Sequence, residues 1–327
     1  MPKRTMVEAL HLALDQNLAR DPDVVLLGED IGVNGGVFRV TKGLQETYGA
    51  DRVMDTPLAE CGIVGTAVGM AIYGMKPVVE IQFSGFTMQA FDQIEQNMAR
   101  FRNRSRGRFP IPMVLRAPYG GGIRAVEHHS ESREAYWAHT PGLKVVIPSG
   151  PRNARALLHA AIQDPDPVIF YEPKAVYRAF REEVPDEVET MPFGQAEVRR
   201  SGADITLIAY GAMMRPVLEA ADELADLHDI DPEVIDLLSI APLDTETICN
   251  SVARTGRCMV VHEGPRTCGM AAEIIARIND HAFEYLEAPV RRLTGYDIHF
   301  PYLQVEEHYL PNAEAIIHGV TETLAWA

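Results

Sequence analysis

Short runs of β-branched and other apolar residues recur along this sequence and alternate with segments of helical spacing. This alternation restricts the fold more than any other feature, because buried strands separated by helix-length segments are typical of parallel sheets covered by helices on both faces. The length and composition of the runs favour buried strands. In the first half, the predicted strands are residues 24–27, 78–81, 113–116, 144–147 and 168–171.

The alternation stops at residues 177–192, a charged segment without apolar periodicity that suits a linker between domains. A chain of 327 residues is long enough for two separate cores. We therefore predict an α/β protein with domains at residues 1–185 and 186–327, each a mainly parallel sheet flanked by helices. In the second domain, we predict strands at residues 205–209, 234–237, 258–262 and 290–293, and helices at 217–227, from 245, at 271–278 and at 311–326.

Acidic residues outnumber basic ones, 46 against 30, which gives a formal net charge of -16. Nucleic acids and anionic membrane surfaces carry charge of the same sign, so neither is an expected partner. One basic cluster places arginine at every second position from Arg100 to Arg108. Only two phenylalanines interleave with it, whereas single-strand binders need stacking aromatic side chains. We interpret the cluster as a solvated helix end or a subunit contact.

Neither membrane insertion nor export is indicated. The longest nearly apolar run, residues 63–75, is shorter than the ~20 residues that a membrane-spanning helix needs. Acidic residues interrupt the first segment, where Thr5 and Glu8 form a helix capping box. The four cysteines lack CxxC spacing, which predicts free thiols in a reducing compartment. We expect a cytoplasmic protein.

Ligands of parallel sheets bind beyond the carboxyl ends of the strands. One loop there ends at Glu60, which precedes a helix whose Gly65 and Gly69 share a face. Two interpretations are open: tight packing within the chain with Glu60 at the positive helix end, or close approach of another backbone. The loops at these strand ends are residues 28–36, 55–60, 82–86 and 118–132.

The segment from Gly120 to Ala125 fits the GxGxxA fingerprint of dinucleotide-binding loops. That fingerprint also requires an acidic residue about twenty positions further on, where this chain has Pro148 and Ser149. A flexible active-site loop is the better interpretation. The alternative is a nicotinamide-dependent dehydrogenase, which predicts NADH binding by the isolated chain.

The next residues, 127–132, are rich in acid-base groups, with His128 and His129 side by side. Adjacent histidines point in different directions on a helix or a strand, which disfavours a shared metal ion. A nucleophilic Ser130 activated by its direct neighbour is also disfavoured, because catalytic partners usually meet through the fold. One histidine as a positioned proton donor and a plain solvated loop both stay open.

Taken together, these segments resemble the beta subunits of pyruvate and branched-chain 2-oxo acid dehydrogenases, a thiamine-diphosphate-dependent family. The match covers nearly the whole chain, and its specificity lies in the order and spacing of the segments. The resemblance implies a pyrimidine-binding domain followed by a transketolase-type domain for subunit association. The matching segments are residues 28–32, 35–41, 55–60, 77–86, 90–94, 129–130, 141–145 and 166–168.

The resemblance assigns roles to residues of these loops. Glu60 would hydrogen-bond a ring nitrogen of the cofactor's aminopyrimidine, so that the exocyclic amino group can act as a base. Leu58, Gln82 and Phe86 would line the pyrimidine pocket. His129 would place or protonate first the 2-oxo acid and then the lipoyl group. The cofactor supplies the chemistry, and the protein orients it.

The same family holds the cofactor's diphosphate through Mg²⁺ on a Gly-Asp-Gly segment, which does not occur in this sequence. The resemblance therefore implies an alpha subunit that supplies this half of the site, in an alpha2beta2 heterotetramer within a multienzyme complex. Gly65 and Gly69 then become candidates for the subunit interface. The carboxy-terminal end would dock the dihydrolipoyl acyltransferase core.

Some relatives also bind K⁺ through backbone carbonyls. Pro165 alters the corresponding loop in this chain. The positions that match the potassium ligands are Met113, Ala161, Ile162, Asp164 and Asp166.

The resulting hypothesis is a 2-oxo acid dehydrogenase that transfers an acyl group to lipoamide and is active only with an alpha subunit. The sequence does not select between pyruvate and branched-chain acids, since one methylene is worth ~1–3 kcal/mol. We favour branched-chain acids. A non-catalytic scaffold subunit is the alternative from another class. Glu131, where many relatives have glutamine, and the additional His128 leave the contacts of this loop open.

Overall fold

The computed structural model of the protein describes residues 1–326, which form two α/β halves. The strands are β1 (Lys3–Arg4), β2 (Val24–Gly28), β3 (Val53–Asp55), β4 (Lys76–Glu80), β5 (Val114–Tyr119), β6 (Lys144–Val146), β7 (Val168–Pro173), β8 (Glu182–Glu183), β9 (Glu197–Arg200), β10 (Ile205–Ala209), β11 (Pro232–Asp236), β12 (Ser239–Ala241), β13 (Cys258–Pro265) and β14 (Arg291–Gly295). The helices are α1 (Met6–Arg20), α2 (Leu44–Tyr48), α3 (Glu60–Ile72), α4 (Phe101–Arg104), α5 (Glu134–Ala138), α6 (Pro151–Gln163), α7 (Met214–His228), α8 (Thr245–Thr255), α9 (Met270–Ala282), α10 (Glu306–Tyr309) and α11 (Ala313–Leu324).

Within residues 1–326, the larger sheet has seven strands in the order β12-β6-β7-β5-β4-β2-β3. Neighbouring strands are parallel except for the pair of β12 and β6. Val24 and Leu26 of β2 pack with the helices α1 and α6, whereas Val25 and Leu27 pack with α3 on the other face. Both faces of the strand are therefore buried, which explains its continuous apolar run.

The smaller sheet, also counted over residues 1–326, has five strands in the order β14-β13-β10-β11-β9. It is parallel except for the edge strand β9. Helices α7 and α11 pack on one face and α8 and α9 on the other. Two mainly parallel sheets flanked by helices were expected from the sequence, and this prediction is confirmed.

Some elements differ from the sequence-based expectation. Strand β12 follows the predicted linker but joins the first sheet beside β6. Within that linker, Tyr177 is buried in the core and β8 pairs with β1. The strands β3, β9 and β12 were missed because they are short, and β9 also carries charged residues. The boundary between residues 185 and 186 stays a prediction.

The helix ends follow local side-chain chemistry. The predicted capping box of Thr5 and Glu8 is present at the start of α1. Helix α11 begins after Asn312, whose side chain accepts a hydrogen bond from the Ala315 amide. Pro311 therefore precedes the helix that the sequence predicts from residue 311, because the asparagine oxygen caps one of the first amides of the helix, which have no carbonyl partner within it.

The arginine cluster, the cysteines and the helix lengths can now be compared with the expectations from the sequence. Arg100 pairs with Glu95 and Arg102 pairs with Asp166 at the short helix α4, so part of the arginine cluster is neutralised. All four cysteines are free among the residues that the structure describes. None of the helices in residues 1–326 combines the length and the apolar character that crossing a membrane requires.

The buried His159 predicts how stability depends on pH. Its Nδ1 lies 2.7 Å from the amide nitrogen of Asn17, and its Nε2 lies 3.1 Å from the amide oxygen of Gln16, a set that suits a neutral ring. Burial lowers the pKa of His159 to about 4. The unfolded chain binds this proton near the ordinary histidine pKa, so stability falls as pH drops from neutral towards 4.

We expect the free energy of unfolding to decrease by about 1–2 kcal/mol between pH 7 and pH 5 through this residue. Urea unfolding at both pH values should show a smaller decrease in His159→Gln than in the wild type. His228→Gln, at the exposed end of α7, is the control and should match the wild type. Equal pH dependence in His159→Gln and the wild type would contradict this assignment.

Candidate functional site

Two carboxyl groups lie together where β2 ends and α3 begins. Glu60 is the first residue of α3 and is buried, with 8% of its surface exposed, and Glu29 directly follows β2 with 7% exposed. In the described part of the chain, Glu29 Oε1 has no hydrogen-bond partner. Burial, and then the charge of Glu60, raise the pKa of Glu29. Glu29 therefore holds its proton more tightly than an exposed glutamate does.

The side chain of Leu58, two positions before Glu60, presents an apolar surface to solvent. Leu58, in the loop between β3 and α3, is 79% exposed. Gln82 and Phe86 are half-buried, Gln82 just beyond β4 and Phe86 in the 3-10 helix Ser84–Ala90. Together these positions supply an aliphatic surface, an amide and an aromatic ring.

His129 lies against two aromatic rings of that segment. Its ring centroid is 4.4 Å from that of Phe83 and 5.4 Å from that of Phe86, both in edge contacts. The approach requires glycine at position 85, because a Cβ there would lie 2.5 Å from the carbonyl oxygen of His128. Phe86 and His129 of the predicted site are thus brought together.

The surroundings of His129 favour the neutral form of its imidazole. Burial, and then the charges of His128 and Lys174, lower its pKa. Over residues 1–326, its buried Nδ1 lacks a hydrogen-bond partner. A neutral ring with a free nitrogen can accept a proton or donate a hydrogen bond to a bound group. The role of His129 as a proton donor stays a prediction.

The carboxylate of Glu131, the additional acidic group of this loop, is paired with a cation. Glu131 forms an ion pair with Arg133, and its Oε2 lies 3.5 Å from Nδ1 of His128. The backbone carbonyl of Glu131 accepts a hydrogen bond of 2.7 Å from Ser84. The departure at position 131 therefore adds a surface ion pair next to the loop rather than a free negative charge.

The GxGxxA segment does not build a nucleotide-binding turn. The amides of Gly121 and Gly122 donate to the carboxylates of Glu263 and Glu306 at 2.7 and 2.5 Å. Two carboxylates would repel a diphosphate at this position. The next helix, α5, begins only at Glu134, so the strand, turn and helix that the fingerprint requires are not contiguous.

A buried ion network lies beneath these loops. The guanidinium of Arg116 bonds Glu172 at 2.6 and 3.0 Å and Glu80 at 2.8 Å, and Tyr177 donates to Glu172 at 2.6 Å. Burial raises the pKa of Glu80, which the charge of Arg116 opposes. The network joins β4, β5 and β7 at the ends that carry the loops, and sequence reasoning missed it.

The five predicted potassium positions lie just before β5, at the end of α6 and in the segment that joins α6 to β7. The carbonyl of Met113 accepts from the Val168 amide at 3.0 Å, and that of Ala161 accepts from the Asp164 amide at 3.3 Å. Lys144 bonds both carboxylate oxygens of Asp164 at 2.7 Å. Asp166 pairs with Arg102 and Lys144, and Ile162 is buried. The carbonyls of Met113 and Ala161 each keep a second lone pair that could bind K⁺. Within residues 1–326, no cluster of three His, Cys, Asp or Glu side chains could hold a metal ion.

The predicted residues carry unpaired polar atoms and an uncovered apolar surface of the kinds that an aminopyrimidine could occupy. Glu29 and His129 present polar atoms that have no partner within residues 1–326, and Leu58 presents an uncovered apolar surface. A ring nitrogen of the aminopyrimidine would give such a polar atom a hydrogen-bond partner. A face of the ring would cover the side chain of Leu58. Glu29, Glu263, Glu306 and Lys174 were not identified as site residues, because only their distances in the fold reveal them.

Comparison with known proteins identifies the family. Residues 2–179 match the transketolase pyrimidine-binding domain, and residues 194–316 match the transketolase C-terminal domain. A solved split-gene transketolase, an inactive beta4 tetramer, has the same fold, with a TM-score of 0.79 over 99% of both chains at 21% identity.

Full-length relatives are closer in sequence. The beta subunit of the pyruvate dehydrogenase E1 component of Acholeplasma laidlawii is 52% identical over 95% of both chains. The 3-methyl-2-oxobutanoate dehydrogenase subunit beta of Mycobacterium tuberculosis is 49% identical over 98% of this chain and 92% of its own. The pyruvate dehydrogenase E1 beta subunit of Bacillus subtilis is 48% identical over 99% of both. The chain belongs to the family of beta subunits of 2-oxo acid dehydrogenase E1 enzymes.

Proposed function

We propose that this chain is the beta subunit of an alpha2beta2 enzyme that binds thiamine diphosphate and Mg²⁺ and oxidatively decarboxylates a 2-oxo acid. The acyl group passes to the lipoyl group of a dihydrolipoyl acyltransferase core. The observation that carries the proposal is Glu60, a buried carboxyl group at the start of a helix that this chain leaves half open.

The open face of α3 supports a seam between subunits. Gly62, Thr66, Gly69 and Tyr73 follow one another along this face and are exposed, with Tyr73 at 94%. A Cβ built at Gly69 would meet no atom within 4 Å in the described residues. Gly65 instead lies against Gln93 of its own chain, where a Cβ would be 3.2 Å from the side chain. An apolar helix with small residues on its exposed face suits another backbone at close distance.

Each residue has a distinct task in this proposal. Glu60 holds a proton against a ring nitrogen of the aminopyrimidine, and Leu58, Gln82 and Phe86 fix the ring in place. His129, neutral and edge-on to two phenylalanines, moves a proton on the substrate side. When bound, thiamine diphosphate supplies the carbon centre that takes up the 2-oxo acid and permits loss of carbon dioxide.

The remaining ligands belong to the same proposal. An alpha subunit would hold Mg²⁺ and the diphosphate, since this sequence has no Gly-Asp-Gly segment. K⁺ would bind backbone carbonyls at the end of α6 and just before β5, among them those of Ala161 and Met113. We also propose a cytoplasmic location, which the free cysteines support.

The experiment is reconstitution. The chain is mixed with its alpha subunit, thiamine diphosphate and Mg²⁺, and carbon dioxide release is measured from pyruvate and from 3-methyl-2-oxobutanoate. Relatives at 52% and 49% identity carry both substrate names, so the two acids are compared directly, and we expect faster turnover of the branched-chain acid. Failure to release carbon dioxide from either acid would overturn the proposal.

We expect Gly69→Leu to block assembly without disturbing the subunit. The new side chain has open space in this chain, so the isolated variant should unfold like the wild type, whereas affinity for the alpha subunit should fall at least about tenfold. Sedimentation of mixtures measures the affinity. Asp222→Leu, on the exposed face of α7, is the matched control and should bind normally. Normal assembly of Gly69→Leu would count against the seam.

We expect His129→Ala to impair acyl transfer to lipoamide more than it impairs cofactor binding, because the ring acts on the substrate side. Loss of a proton-transferring group costs about 10²–10⁴-fold in rate. Acyl transfer is measured as the rate of lipoamide acylation. Cofactor affinity is measured by titrating the reconstituted enzyme with thiamine diphosphate. His128→Ala is the neighbouring control and should lose much less activity. Equal losses in transfer and in cofactor affinity would contradict the assigned role.

A further inference from the structure

The loop that carries His129 has a strained backbone. Gly120 and Gly122 adopt positive φ angles of 80° and 86°, and Arg124 and Val126 adopt 58° and 59°. For a β-branched residue such as Val126 this conformation is an outlier, and it persists only where surrounding contacts hold it. Something outside the loop must therefore fix it.

Two carboxylates from the second half of the chain provide these contacts. Glu263 of β13 accepts the Gly121 amide at 2.7 Å, and Glu306, the first residue of α10, accepts the Gly122 amide at 2.5 Å. The same oxygen of Glu306 lies 3.4 Å from the amide of Arg124. Both carboxyl groups are buried, so these hydrogen bonds are shielded from water. Burial raises the pKa of Glu263 to about 7, and the hydrogen bond from the Gly121 amide opposes this shift.

A buried lysine supplies the opposing charge. Lys174 is 3% exposed, and in residues 1–326 its ammonium has no hydrogen-bond partner. Burial lowers the pKa of Lys174 to about 7, and the charges of Glu263 and Glu306 oppose this shift. Its Nζ lies 5.7 Å from the ring centroid of Phe83, the same ring that His129 contacts. The lysine thus connects the two carboxylates with the aromatic contact of the histidine.

We propose that Glu263 and Glu306 are positioning residues for His129: by holding the amides of Gly121 and Gly122, with Lys174 as counter-charge, the second half of the chain sets the geometry of the histidine loop. The catalytic part of this inference rests on the proposed function, because His129 acts on the substrate only there. The structural part can be tested on the chain alone.

Arg124 offers a direct measure of the loop, because its side chain is 65% exposed and trypsin cleaves after arginine. In the full chain, we expect Glu306→Ala to be cut after Arg124 at least about tenfold faster than the wild type, since charge-assisted bonds are worth 1.5–3 kcal/mol. Glu306→Gln should stay close to the wild type, because the amide oxygen still accepts both bonds. Circular dichroism establishes that each variant is folded.

Glu307→Ala is the matched control. Within residues 1–326, Glu307 pairs only with the exposed side chain of Arg124, at 2.7 Å, and its removal leaves the backbone bonds intact. Its cleavage rate should lie near that of the wild type. Unchanged cleavage of Glu306→Ala, or equal acceleration in both variants, would overturn the proposal. If Glu306→Ala does not fold, Glu263→Ala is measured instead, because it removes the hydrogen bond that holds the same loop at the amide of Gly121.

Activity of the reconstituted enzyme separates positioning from general damage. We expect Glu306→Ala to lower the rate of acyl transfer without changing cofactor affinity, and Glu306→Gln to keep the wild-type rate. The double variant Glu306→Ala/His129→Ala should transfer acyl groups as fast as His129→Ala alone. Additive losses, or full transfer despite a released loop, would overturn the proposal. If the wild type itself releases no carbon dioxide, the proposed function fails, while the cleavage result still reports on the loop.

Discussion

Replacing Glu60 with glutamine is expected to lower 2-oxo acid decarboxylation by the reconstituted enzyme at least about hundredfold, the usual loss when a group that moves a proton is removed. Glutamine fills the same space but cannot share an acid proton with a ring nitrogen. Since Glu60 lies beside Glu29, removing one charge should not destabilise the fold. Initial rates of carbon dioxide release measure the effect, and urea unfolding measures stability.

Glu273→Gln is the matched control for this variant. Glu273 also lies in the first turn of a helix, α9, but it is exposed and pairs with Arg277. Its rate should equal that of the wild type. An unchanged rate in Glu60→Gln would remove the catalytic interpretation and leave the scaffold subunit as the surviving alternative.

The largest effect on stability is expected at Arg116. In Arg116→Met, the carboxylates of Glu80 and Glu172 stay buried without a cation, and breaking a buried pair in this way costs about 3–5 kcal/mol. Urea unfolding of the isolated chain measures the loss. Since the network lies beneath the loops of the site, the variant should also assemble poorly.

Two further variants define the cause of this loss. Arg104→Met removes an exposed arginine that contacts Gln96 and should change stability by no more than about 0.5 kcal/mol. Adding Glu80→Gln and Glu172→Gln to Arg116→Met removes the unpaired charges, so we expect it to recover much of the loss. A loss below about 1 kcal/mol in Arg116→Met would show that water or another cation compensates the carboxylates.

The candidate site combines residues that the sequence could suggest with others that it could not. Glu60 and His129 stand out from strand-end loops and from a family resemblance. The contact of His129 with Phe83 depends on the glycine at position 85, which brings the two segments close. Their proposed roles remain to be tested by the variants described above.

The sequence by itself determined the two parallel sheets, because buried strands leave continuous β-branched runs, as in β10 at Ile205–Ala209. It also determined the cap of α1, because a capping box is a local interaction between Thr5 and Glu8. Only the tertiary structure decided that β12 joins the first sheet and that Glu263 and Glu306 hold the histidine loop. Those hydrogen bonds join residues 142 and 184 positions apart, and a contact of that range leaves no periodic pattern in the chain.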